Sequence, residues 1–534
     1  MKTLSFLLAA SVLCSYSLIA QVKTEKATVL WGPELKESKK STLNDLVAYD
    51  ETGIYVSKSN FKGYFSGYDI ILEHFDNDLN KTKSVVLNLG EKKEKRTLEL
   101  MIHFNDVLYV FSSKSNNEIK KNFLFVESIN KKSLLSNNDL RKISEINFEG
   151  KKKRNNGDFM YSISRDKSKI LIYNSLPFNK NENAKFSLHV FDQNLNQLWE
   201  DNITLPYEDK LFGVEDYQVS NKGNVYVLGK IYNENRRTYK RGKPNFKHRI
   251  LSYINESSNN KEYPVEIQEH FITDMKIAID NNENIICAGF YSELGTMSIN
   301  GSYFLKIDGK SKNITTKSFK EFGIDFITQN MTKRQEKKTR KRDDKNKKIE
   351  LYEYDLDNII LKDDGGAVLV GEQFFVRVVT TTTTDANGNI STTTNYYYNY
   401  NDIIVINISS EGEIEWTEKI PKRQVTKNDG GFYSSYALAV VDDKLYFVFN
   451  DNPKNLFYKG EGKVYNFIRN KKESLVVLVE LSIEGRQTRE ALFSMREADV
   501  IIRPKVCEQT TKNELILFGQ KKKKQRFAKV SFVK

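Results

Sequence analysis

Cysteine, proline and histidine are all scarce in this chain of 534 residues, which has three cysteines, eight prolines and five histidines. Cys14 falls in the N-terminal apolar run, so only Cys287 and Cys507 remain beyond it. Two cysteines cannot form the disulfide framework typical of small secreted folds, and we expect both to be buried and unpaired. The five histidines are scattered without metal-ligand spacing, so the sequence predicts no metal site and no cofactor.

Long apolar runs are also missing after the first twenty residues, which excludes a transmembrane helix from the rest of the chain. The N-terminus itself has Lys2, an apolar run over residues 4–19, and Ala20 before a polar stretch. This pattern is typical of a secretory signal peptide over residues 1–20. Leu13 stands where a lipoprotein signal needs a small residue, which disfavours lipidation of Cys14. We therefore expect export to the periplasm or the outer-membrane periphery, with an extracellular location left open.

A short pattern returns along residues 21–534: turn residues, an apolar run and often a glycine. It occurs at residues 221–229 (NKGNVYVLG), 281–289 (NNENIICAG), 363–371 (DDGGAVLVG) and 512–519 (KNELILFG). Each is a tight turn leading into a strand, and a second hairpin follows it. Two hairpins per period of about 50 to 65 residues predict an all-β fold, a β-propeller of four-stranded blades in a single domain.

Dividing the chain by this period gives eight blades, with seven as the alternative. The last repeat provides only three strands. Trp199 and Trp416 lie in the predicted fourth strands of their blades, and the segment around Trp31 is similar to these strands. Residues 27–37 are therefore predicted to supply the missing strand and close the ring, which removes free sheet edges. The predicted blades are 43–89, 97–148, 158–205, 213–267, 272–319, 355–421, 433–493 and 500–534.

The connections predicted to be long all join the second to the third strand of a blade, or one blade to the next. They are residues 230–248, 320–349, 372–401, 450–473 and 520–526. Functional residues concentrate on loops that a rigid scaffold positions, so this face is the candidate site. Residues 320–350 form a basic inserted loop, and its segment 331–349 is expected to be mobile and solvated.

Lysine and arginine exceed acidic residues by 13 over the whole chain. Many of these cations map to the predicted loop face, where their field would attract an acidic protein, an anionic glycan or lipid head groups, whereas nucleic acid does not fit an exported protein. A solubilising insertion without a specific role is the competing interpretation. The predicted binding residues are Arg236, Arg237, Lys240, Arg241, Lys333, Arg334, Arg340, Lys341, Arg342, Lys422, Arg423, Lys471, Lys472, Lys521 and Lys522.

Residues 374–400 are rich in threonine and tyrosine and contain the reversal DANGN, which predicts a long hairpin above the sixth blade. Asp385 and its neighbours resemble the start of a calcium loop, but the later glutamate ligand is missing. Four tyrosines of the second strand either form a stacking surface for a sugar or a protein, or pack on the partner strand. They are Tyr396, Tyr397, Tyr398 and Tyr400.

No nucleophile elbow, phosphate-binding glycine loop or HExxH motif is present, so no catalytic residue is predicted. The leading hypothesis is a non-enzymatic envelope scaffold that binds an acidic protein or anionic glycan through the basic loop face. Such a scaffold would be a candidate periplasmic subunit of an outer-membrane secretion or transport machine. The alternative is a glycan-binding or glycan-active propeller, a lectin or a hydrolase or lyase, that uses the channel mouth on the same face.

Residues 402–416 (DIIVINISSEGEIEW) and 432–440 (FYSSYALAV) resemble secreted eight-bladed β-propellers of the bacterial envelope that have no assigned function. The resemblance covers almost the whole chain after the leader, and it implies the architecture rather than a role. The sialidase boxes SxDxGxTW and the adjacent cysteines of many quinone-dependent dehydrogenases are both missing. Neither activity is therefore implied.

Overall fold

The computed structural model describes residues 21–64, 67–91, 94–148, 155–237, 239–240, 243–254, 261–265, 270–293, 298–345, 347–469, 473–510 and 513–533. Within these ranges the chain is mostly β, which confirms the predicted class. Eight sheets of at least four antiparallel strands follow one another along the sequence, and we number them sheets 1 to 8. No helix in the described ranges is long and apolar enough to cross a bilayer.

The strands of the first half follow in chain order. Three short strands come first: β1 (Gln21–Lys23), β2 (Ala27–Trp31) and β3 (Leu35–Lys36). Sheet 1 contains β4 (Ser41–Asp50), β5 (Gly53–Gly63), β6 (Gly67–Phe75) and β7 (Lys81–Val86). Sheet 2 contains β8 (Thr97–Phe104), β9 (Val107–Asn116), β10 (Lys121–Ile129) and β11 (Arg141–Asn147). Sheet 3 contains β12 (Asp158–Ile163), β13 (Lys169–Ser175), β14 (Asn183–Asp192) and β15 (Gln197–Glu208). Sheet 4 contains β16 (Phe212–Val219), β17 (Val225–Tyr232), β20 (Phe246–Tyr253) and β21 (Lys261–Val265), with the small pair β18 (Tyr239–Lys240) and β19 (Lys243–Pro244) between its second and third strands.

The second half has the same plan with longer insertions. Sheet 5 contains β22 (Phe271–Ile279), β23 (Ile285–Ser292), β25 (Gly301–Ile307) and β26 (Ile314–Glu321), and β24 (Ser298–Ile299) pairs with β27 (Leu351–Tyr352). Two helices follow sheet 5, α1 (Ile324–Thr328) and α2 (Lys333–Asp343). Sheet 6 contains β28 (Tyr354–Leu361), β29 (Ala367–Thr384), β30 (Ile390–Ile408) and β31 (Ile414–Ile420), with β32 (Gln424–Lys427) added beside β30. Sheet 7 contains β33 (Ala437–Val441), β34 (Lys444–Asp451), β35 (Leu475–Leu481) and β36 (Gln487–Ser494), followed by α3 (Met495–Ala498). Sheet 8 contains β37 (Ile501–Ile502), β38 (Glu508–Gln509), β39 (Glu514–Lys521) and β40 (Lys524–Phe532).

Aspartate side chains hold several of the tight turns within the sheets. Asp76 Oδ1 accepts hydrogen bonds from the backbone N–H of Asp78 at 3.0 Å and of Asn80 at 2.8 Å. Asp192 and Asp280 accept from the second and fourth residues after them in the same way. A carboxylate that accepts hydrogen bonds from two backbone N–H groups of a turn satisfies these donors and holds the chain in a short reversal. This pattern explains why Asp and Asn mark the turns in the sequence.

The apolar core lies between consecutive sheets rather than within one sheet. A separate cluster of buried side chains joins each pair of neighbouring sheets from sheets 1 and 2 to sheets 7 and 8. A further cluster packs Leu43 and Phe75 of sheet 1 against Phe518 and Phe527 of sheet 8, and the Phe75 and Phe527 ring centroids are 4.8 Å apart. Each sheet therefore buries both of its faces against neighbours.

The N-terminal strand β2 belongs to the last sheet. It pairs antiparallel with β40, in a register that runs from Ala27 opposite Phe532 to Trp31 opposite Ala528. Trp31 is 4% exposed, and its ring lies edge-on to Phe493 at 4.8 Å. Sheet 8 thus obtains its fourth strand from the other end of the chain.

Two expectations about the connections are wrong. Residues 331–349 are not an unstructured loop, because α2 occupies much of that segment and begins with a capping box between Thr332 and Gln335. Arg340 adds an ion pair to Glu336 one turn earlier and another to Asp325 of α1, at 2.9 and 2.8 Å. Residues 520–526 are not an extended loop either, because β39 and β40 meet there in a tight hairpin with Lys522 at φ 58°.

Candidate functional site

Several first strands lie next to those of the neighbouring sheets, and we call the space that they face the channel. Neighbouring first strands lie side by side, for example β16, β22 and β28 in sheets 4 to 6. Connections from the first to the second strand, and from the third to the fourth, lie at one end of each sheet, which we call the tight-turn end. The other connections lie at the opposite end, the loop end, because direction alternates along an antiparallel sheet.

Carboxyl side chains are concentrated on these first strands. Five of the strands contain a β-bulge, which re-aims side chains locally. The chain as a whole is basic, yet the channel wall is rich in acids. The carboxyl residues on the first strands are Asp45, Asp50, Glu99, Asp158, Glu215, Asp216, Asp274, Asp355, Asp357 and Glu508.

Two of these carboxylates tie neighbouring sheets together. Asp216 Oδ2 accepts a hydrogen bond from Ile277 N in the next sheet at 3.4 Å, and Asp274 Oδ2 accepts one from Leu356 N at 2.8 Å. Burial raises the pKa of both carboxyls, while these backbone donors act in the opposite direction. Both residues have an evident structural role, and we do not place them in the functional site.

A cavity of about 760 Å³ opens at the tight-turn end, between sheets 8, 1, 2 and 3. Its volume is that of a pocket for a small molecule. Turn residues of three sheets surround its mouth, and side chains of the first strands form its walls. The ionisable groups and hydroxyls that line it include Asp45, His103, Tyr161, Lys167, Glu508 and Thr510.

Asp45 and Glu508 are the carboxyl pair of this cavity. The pKa of Glu508 is raised to about 7, first by burial and then by the charge of Asp45, while the charge of Lys167 opposes the shift. Burial also raises the pKa of Asp45, against one backbone hydrogen bond from Leu46. Both side chains line the cavity and are more than a third exposed to solvent, so the burial that acts on their pKa values is partial. Glu508 can therefore hold or release a proton near neutral pH.

Other groups on the channel wall titrate unusually as well. The pKa of Tyr161 is raised by burial and by the charges of Asp45 and Glu99. Across the channel, the pKa of Asp357 is raised to about 6, mainly by burial, although Tyr436 donates a hydrogen bond to it at 2.7 Å. Within the described ranges, no group of three or more His, Cys, Asp or Glu side chains could hold a metal ion.

Several residues of the predicted basic face are already engaged within the protein. The Arg236 guanidinium donates to the carbonyl oxygens of Asp209 and Phe212, both at 2.7 Å, and Arg340 makes the two ion pairs described above. Lys521 pairs with Asp499 at 2.9 Å. Other members are exposed: Arg237, Lys333, Arg334, Lys341, Arg342, Arg423 and Lys522. Arg241, Lys471, Lys472 and the side chain of Lys240 lie outside the described residues.

Lys422 is not on a surface at all, which corrects its placement in the basic face. Its side chain is 0% exposed and pairs with Glu372, which is 4% exposed. The ammonium also donates to the Tyr400 carbonyl oxygen at 3.0 Å, and Ser435 Oγ donates to Glu372 at 2.7 Å. A charge this deeply buried needs a partner. Lys422 and Glu372 are far apart in the sequence, so the sequence did not indicate that they pair.

The predicted threonine- and tyrosine-rich hairpin is confirmed: β29 and β30 pair continuously out to residues 384 and 390. The turn is held by Asp385, which accepts from the backbone N–H of Asn387 and Asn389. Tyr400 is buried, contradicting its placement in an exposed aromatic surface, because it packs on Phe374 at 4.6 Å and its hydroxyl accepts from Lys505 at 2.8 Å. Tyr397 and Tyr398 are half-buried, Tyr396 is exposed, and β32 covers the strand from Tyr397 to Tyr400.

The two cysteines in the described part of the chain are free thiols, Cys287 buried and Cys507 half-buried. Burial raises the pKa of each thiol to about 12. A thiol that holds its proton so firmly is a poor nucleophile. Neither cysteine adds to the functional site.

No protein-family model matches the sequence, and no characterised protein is similar to it at a significant level. Solved structures to which it is similar include the β-propeller domain of the Trilobed protease from Pyrococcus furiosus, at 11% identity and a TM-score of 0.35, over 85% of this chain and 96% of that one. Others are prolyl oligopeptidase B from Galerina marginata (10% identity, TM-score 0.37, 91% and 55% covered) and the acylaminoacyl peptidase from Pyrococcus horikoshii (8%, 0.34, 91% and 59%). The chain spans little more than half the length of these two peptidases. At such values no activity is transferred to this chain.

The predicted function is wrong. A non-enzymatic scaffold that binds an acidic protein or anionic glycan through the basic loop face finds no counterpart in these comparisons, where the similar propellers include parts of peptidases. In the structure, four of the predicted cations are engaged internally. The cavity, moreover, opens at the tight-turn end and not at the channel mouth of the loop end. The lining of the cavity comes from four sheets that are far apart in the sequence, so it leaves no local motif and sequence reasoning missed it.

Proposed function

We propose that this protein is an acid–base enzyme of the hydrolase type that acts on a small molecule in the tight-turn cavity. The observation that carries the proposal is the Glu508 carboxyl, which has a pKa of about 7 inside the cavity and lies close enough to Asp45 to feel its charge. Two neighbouring carboxyls, one of them with a pKa near 7, are a common arrangement of a proton donor and its partner. Glu508 is the proton donor in this scheme.

Each residue has a chemical role in this proposal. Protonated Glu508 donates its proton to the leaving group as the bond to that group breaks, while a water molecule forms the new bond to the substrate atom that is released and gives its proton to ionised Asp45. Proton exchange with solvent then restores protonated Glu508 and ionised Asp45. Tyr161 and Thr510 supply hydrogen bonds that orient the substrate. The positive charge of Lys167 favours the ionised form of Glu508 and so limits the rise of its pKa.

The experiment measures hydrolysis of nitrophenyl-linked substrates of several linkage classes as a function of pH. The rate should fall as pH rises through about 7, because Glu508 must carry its proton. Glu508→Gln should reduce the rate about 100- to 10,000-fold, the usual contribution of a positioned proton donor. Asp45→Asn should move the descending limb to lower pH, since removal of the neighbouring negative charge lowers the pKa of Glu508.

Glu484→Gln is the matched control, because Glu484 lies on an exposed turn of sheet 7 that does not line the cavity. It should leave the rate unchanged. Retention of full activity in Glu508→Gln, or a pH profile that Asp45→Asn does not shift, would contradict the assignment. Absence of turnover with every substrate class leaves the second candidate to be tested.

The second candidate is binding of a small amine in the same cavity without turnover. Its support is the raised pKa of both cavity carboxyls, which burial causes and to which, for Glu508, the charge of Asp45 adds, because a bound cation would favour the ionised form of each. Calorimetry with spermidine at pH 7, in buffers of different ionisation enthalpy, should show proton release on binding. Binding that is unaffected by Glu508→Gln and Asp45→Asn would exclude this candidate.

We also propose that the eight sheets are the blades of one ring that β2 closes. Support comes from the succession of apolar clusters between neighbouring sheets, including the one between sheets 8 and 1, and from the pairing of β2 with β40. Export remains a proposal too, because residues 1–20 lie outside the described residues. Cell fractionation of a tagged full-length chain tests it, and retention of the tag in the cytoplasm would contradict it.

A further inference from the structure

The aromatic side chains that the protein exposes are gathered at its loop end. Eight described aromatic residues are more than about a third exposed, and only Tyr161 of the channel lies elsewhere. Tyr64 is 96% exposed, Phe457 is 82% exposed and Phe178 is 50% exposed, each on the connection between the second and third strands of its sheet. The others at this end are Tyr68, Tyr352, Tyr396 and Tyr465.

Phe178 is held in its exposed position by a hydrogen-bonded frame. Asn155 accepts from the Phe178 backbone N–H at 2.9 Å and donates to its carbonyl oxygen at 3.1 Å. The guanidinium of Arg236 lies 5.4 Å from the centre of the ring. Arg236 is itself fixed by its bonds to the Asp209 and Phe212 carbonyl oxygens. The ring is therefore displayed by surrounding structure.

The loop that carries Phe457 is organised around a buried asparagine. Asn455 is 0% exposed, donates to Asp451 Oδ1 at 2.7 Å and to the Tyr465 carbonyl oxygen at 2.8 Å, and accepts from Tyr465 N at 2.8 Å. Asp451 is in turn paired with Arg489 at 3.2 Å, in a bridge that is almost fully buried. A loop with this many internal bonds could turn Phe457 inward only by breaking them, so its exposure is built in.

Cations accompany the exposed rings. Lys454 and Lys463 lie 5.0 and 5.2 Å from the centre of the Tyr465 ring, and Lys40 lies 5.7 Å from the ring of Phe61, which contacts Tyr64 and Tyr68. Aromatic rings next to lysine or arginine are the composition of membrane–water interfaces, where the ring enters the boundary region and the cation meets the head groups. This combination complements an anionic bilayer in charge and in polarity.

We propose that the loop end binds the surface of an anionic lipid bilayer through these separate aromatic tips. The tips belong to sheets 1, 3 and 7, so they form isolated points rather than the continuous apolar patch that a protein partner would cover. A fluid bilayer accommodates isolated points, because each ring is buried individually. The proposal depends on aromatic insertion and is independent of the cavity chemistry at the other end.

The test is co-sedimentation of the purified protein with vesicles of phosphatidylcholine, with or without phosphatidylglycerol. We expect binding to the vesicles that contain phosphatidylglycerol, and weaker binding to phosphatidylcholine alone. Phe457→Ser and Phe178→Ser should each weaken binding about tenfold, and the double variant about a hundredfold, since each ring loses its apolar burial. Ile483→Ser is the matched control, because Ile483 is 52% exposed at the tight-turn end.

A second readout places the ring itself. Phe457→Trp should have its fluorescence quenched by vesicles whose acyl chains carry bromine, while the wild-type tryptophans should not. The proposal is overturned if the protein binds neither vesicle, if Ile483→Ser weakens binding as much as Phe457→Ser, or if the inserted tryptophan is not quenched. Binding that salt abolishes and that the serine variants leave unchanged would also overturn it, because charge alone would then account for the attraction.

Discussion

Replacement of Trp31 by alanine tests whether the N-terminal strand is an integral part of the last sheet. Trp31 is 4% exposed, contacts Phe493 edge-on at 4.8 Å, and has the Arg526 guanidinium 4.7 Å from its ring. A buried tryptophan replaced by alanine costs about 3–5 kcal/mol of unfolding free energy, and the ring contacts place Trp31 near the middle of that range, at about 4 kcal/mol.

The assay is equilibrium unfolding in urea followed by circular dichroism, because fluorescence would report the lost tryptophan itself. Trp416→Ala is the matched control: Trp416 lies on the fourth strand of sheet 6, is half-buried, and donates from its indole N–H to the Ile483 carbonyl oxygen at 2.8 Å. Part of the Trp416 ring is already in contact with water, so Trp416→Ala should reduce the free energy of unfolding by about 2 kcal/mol. A Trp31→Ala variant that loses less than about 1 kcal/mol of unfolding free energy would refute a closing role for β2, because so small a loss means that the fold does not depend on this strand.

Three further outcomes concern Glu508, the buried pair of Lys422 and Glu372, and the helix α2. Glu508→Gln should raise the melting temperature at pH 8 and leave it unchanged at pH 4. The pKa of Glu508 in the folded state, about 7, exceeds its ordinary value of 4.5, so the wild type loses stability as pH rises from the ordinary value to about 7. An equal effect of the substitution at both pH values would contradict this expectation. Lys422→Met should reduce the free energy of unfolding in urea by about 3–5 kcal/mol, because it leaves Glu372 buried without its cation. The double variant with Glu372→Gln should recover part of that free energy, and no recovery would be evidence against the pair. Thr332→Ala should lower the hydrogen-exchange protection of Lys333–Asp343 about fivefold, through loss of a cap worth about 1 kcal/mol, whereas Lys333→Ala on the same exposed helix should not.

The sequence predicts the β class and the turns well because both depend on local chemistry. The run NKGN at residues 221–224 forms the expected reversal, with Gly223 at φ 85° and its N–H donating to the Ser220 carbonyl oxygen at 2.9 Å. The helix α2 was missed because the charge of its segment was given more weight than the cap formed by Thr332 and Gln335, which is legible in the sequence. Local signals thus exist for both features.

The cavity could not be predicted, because its carboxyl pair is distributed over the ends of the chain. Asp45 and Glu508 meet only when sheet 8 packs on sheet 1, and neither belongs to a local motif. Lys422 was misplaced for a similar reason: it lies between β31 and β32, and its partner Glu372 is fifty residues away on β29. Strand alternation indicates which side chains face the channel, but the space left between sheets depends on the packing of the whole molecule.

The hairpin formed by β29 and β30 has a practical use. Its turn, residues 385–389, is exposed and held only by Asp385 and its own neighbours. Gly388, at φ 80°, has no heavy atom within 4 Å of where a β-carbon would be. An epitope or a fluorescent label inserted there would extend from the end opposite the cavity, and would allow the protein to be immobilised or imaged while that cavity stays open to solution.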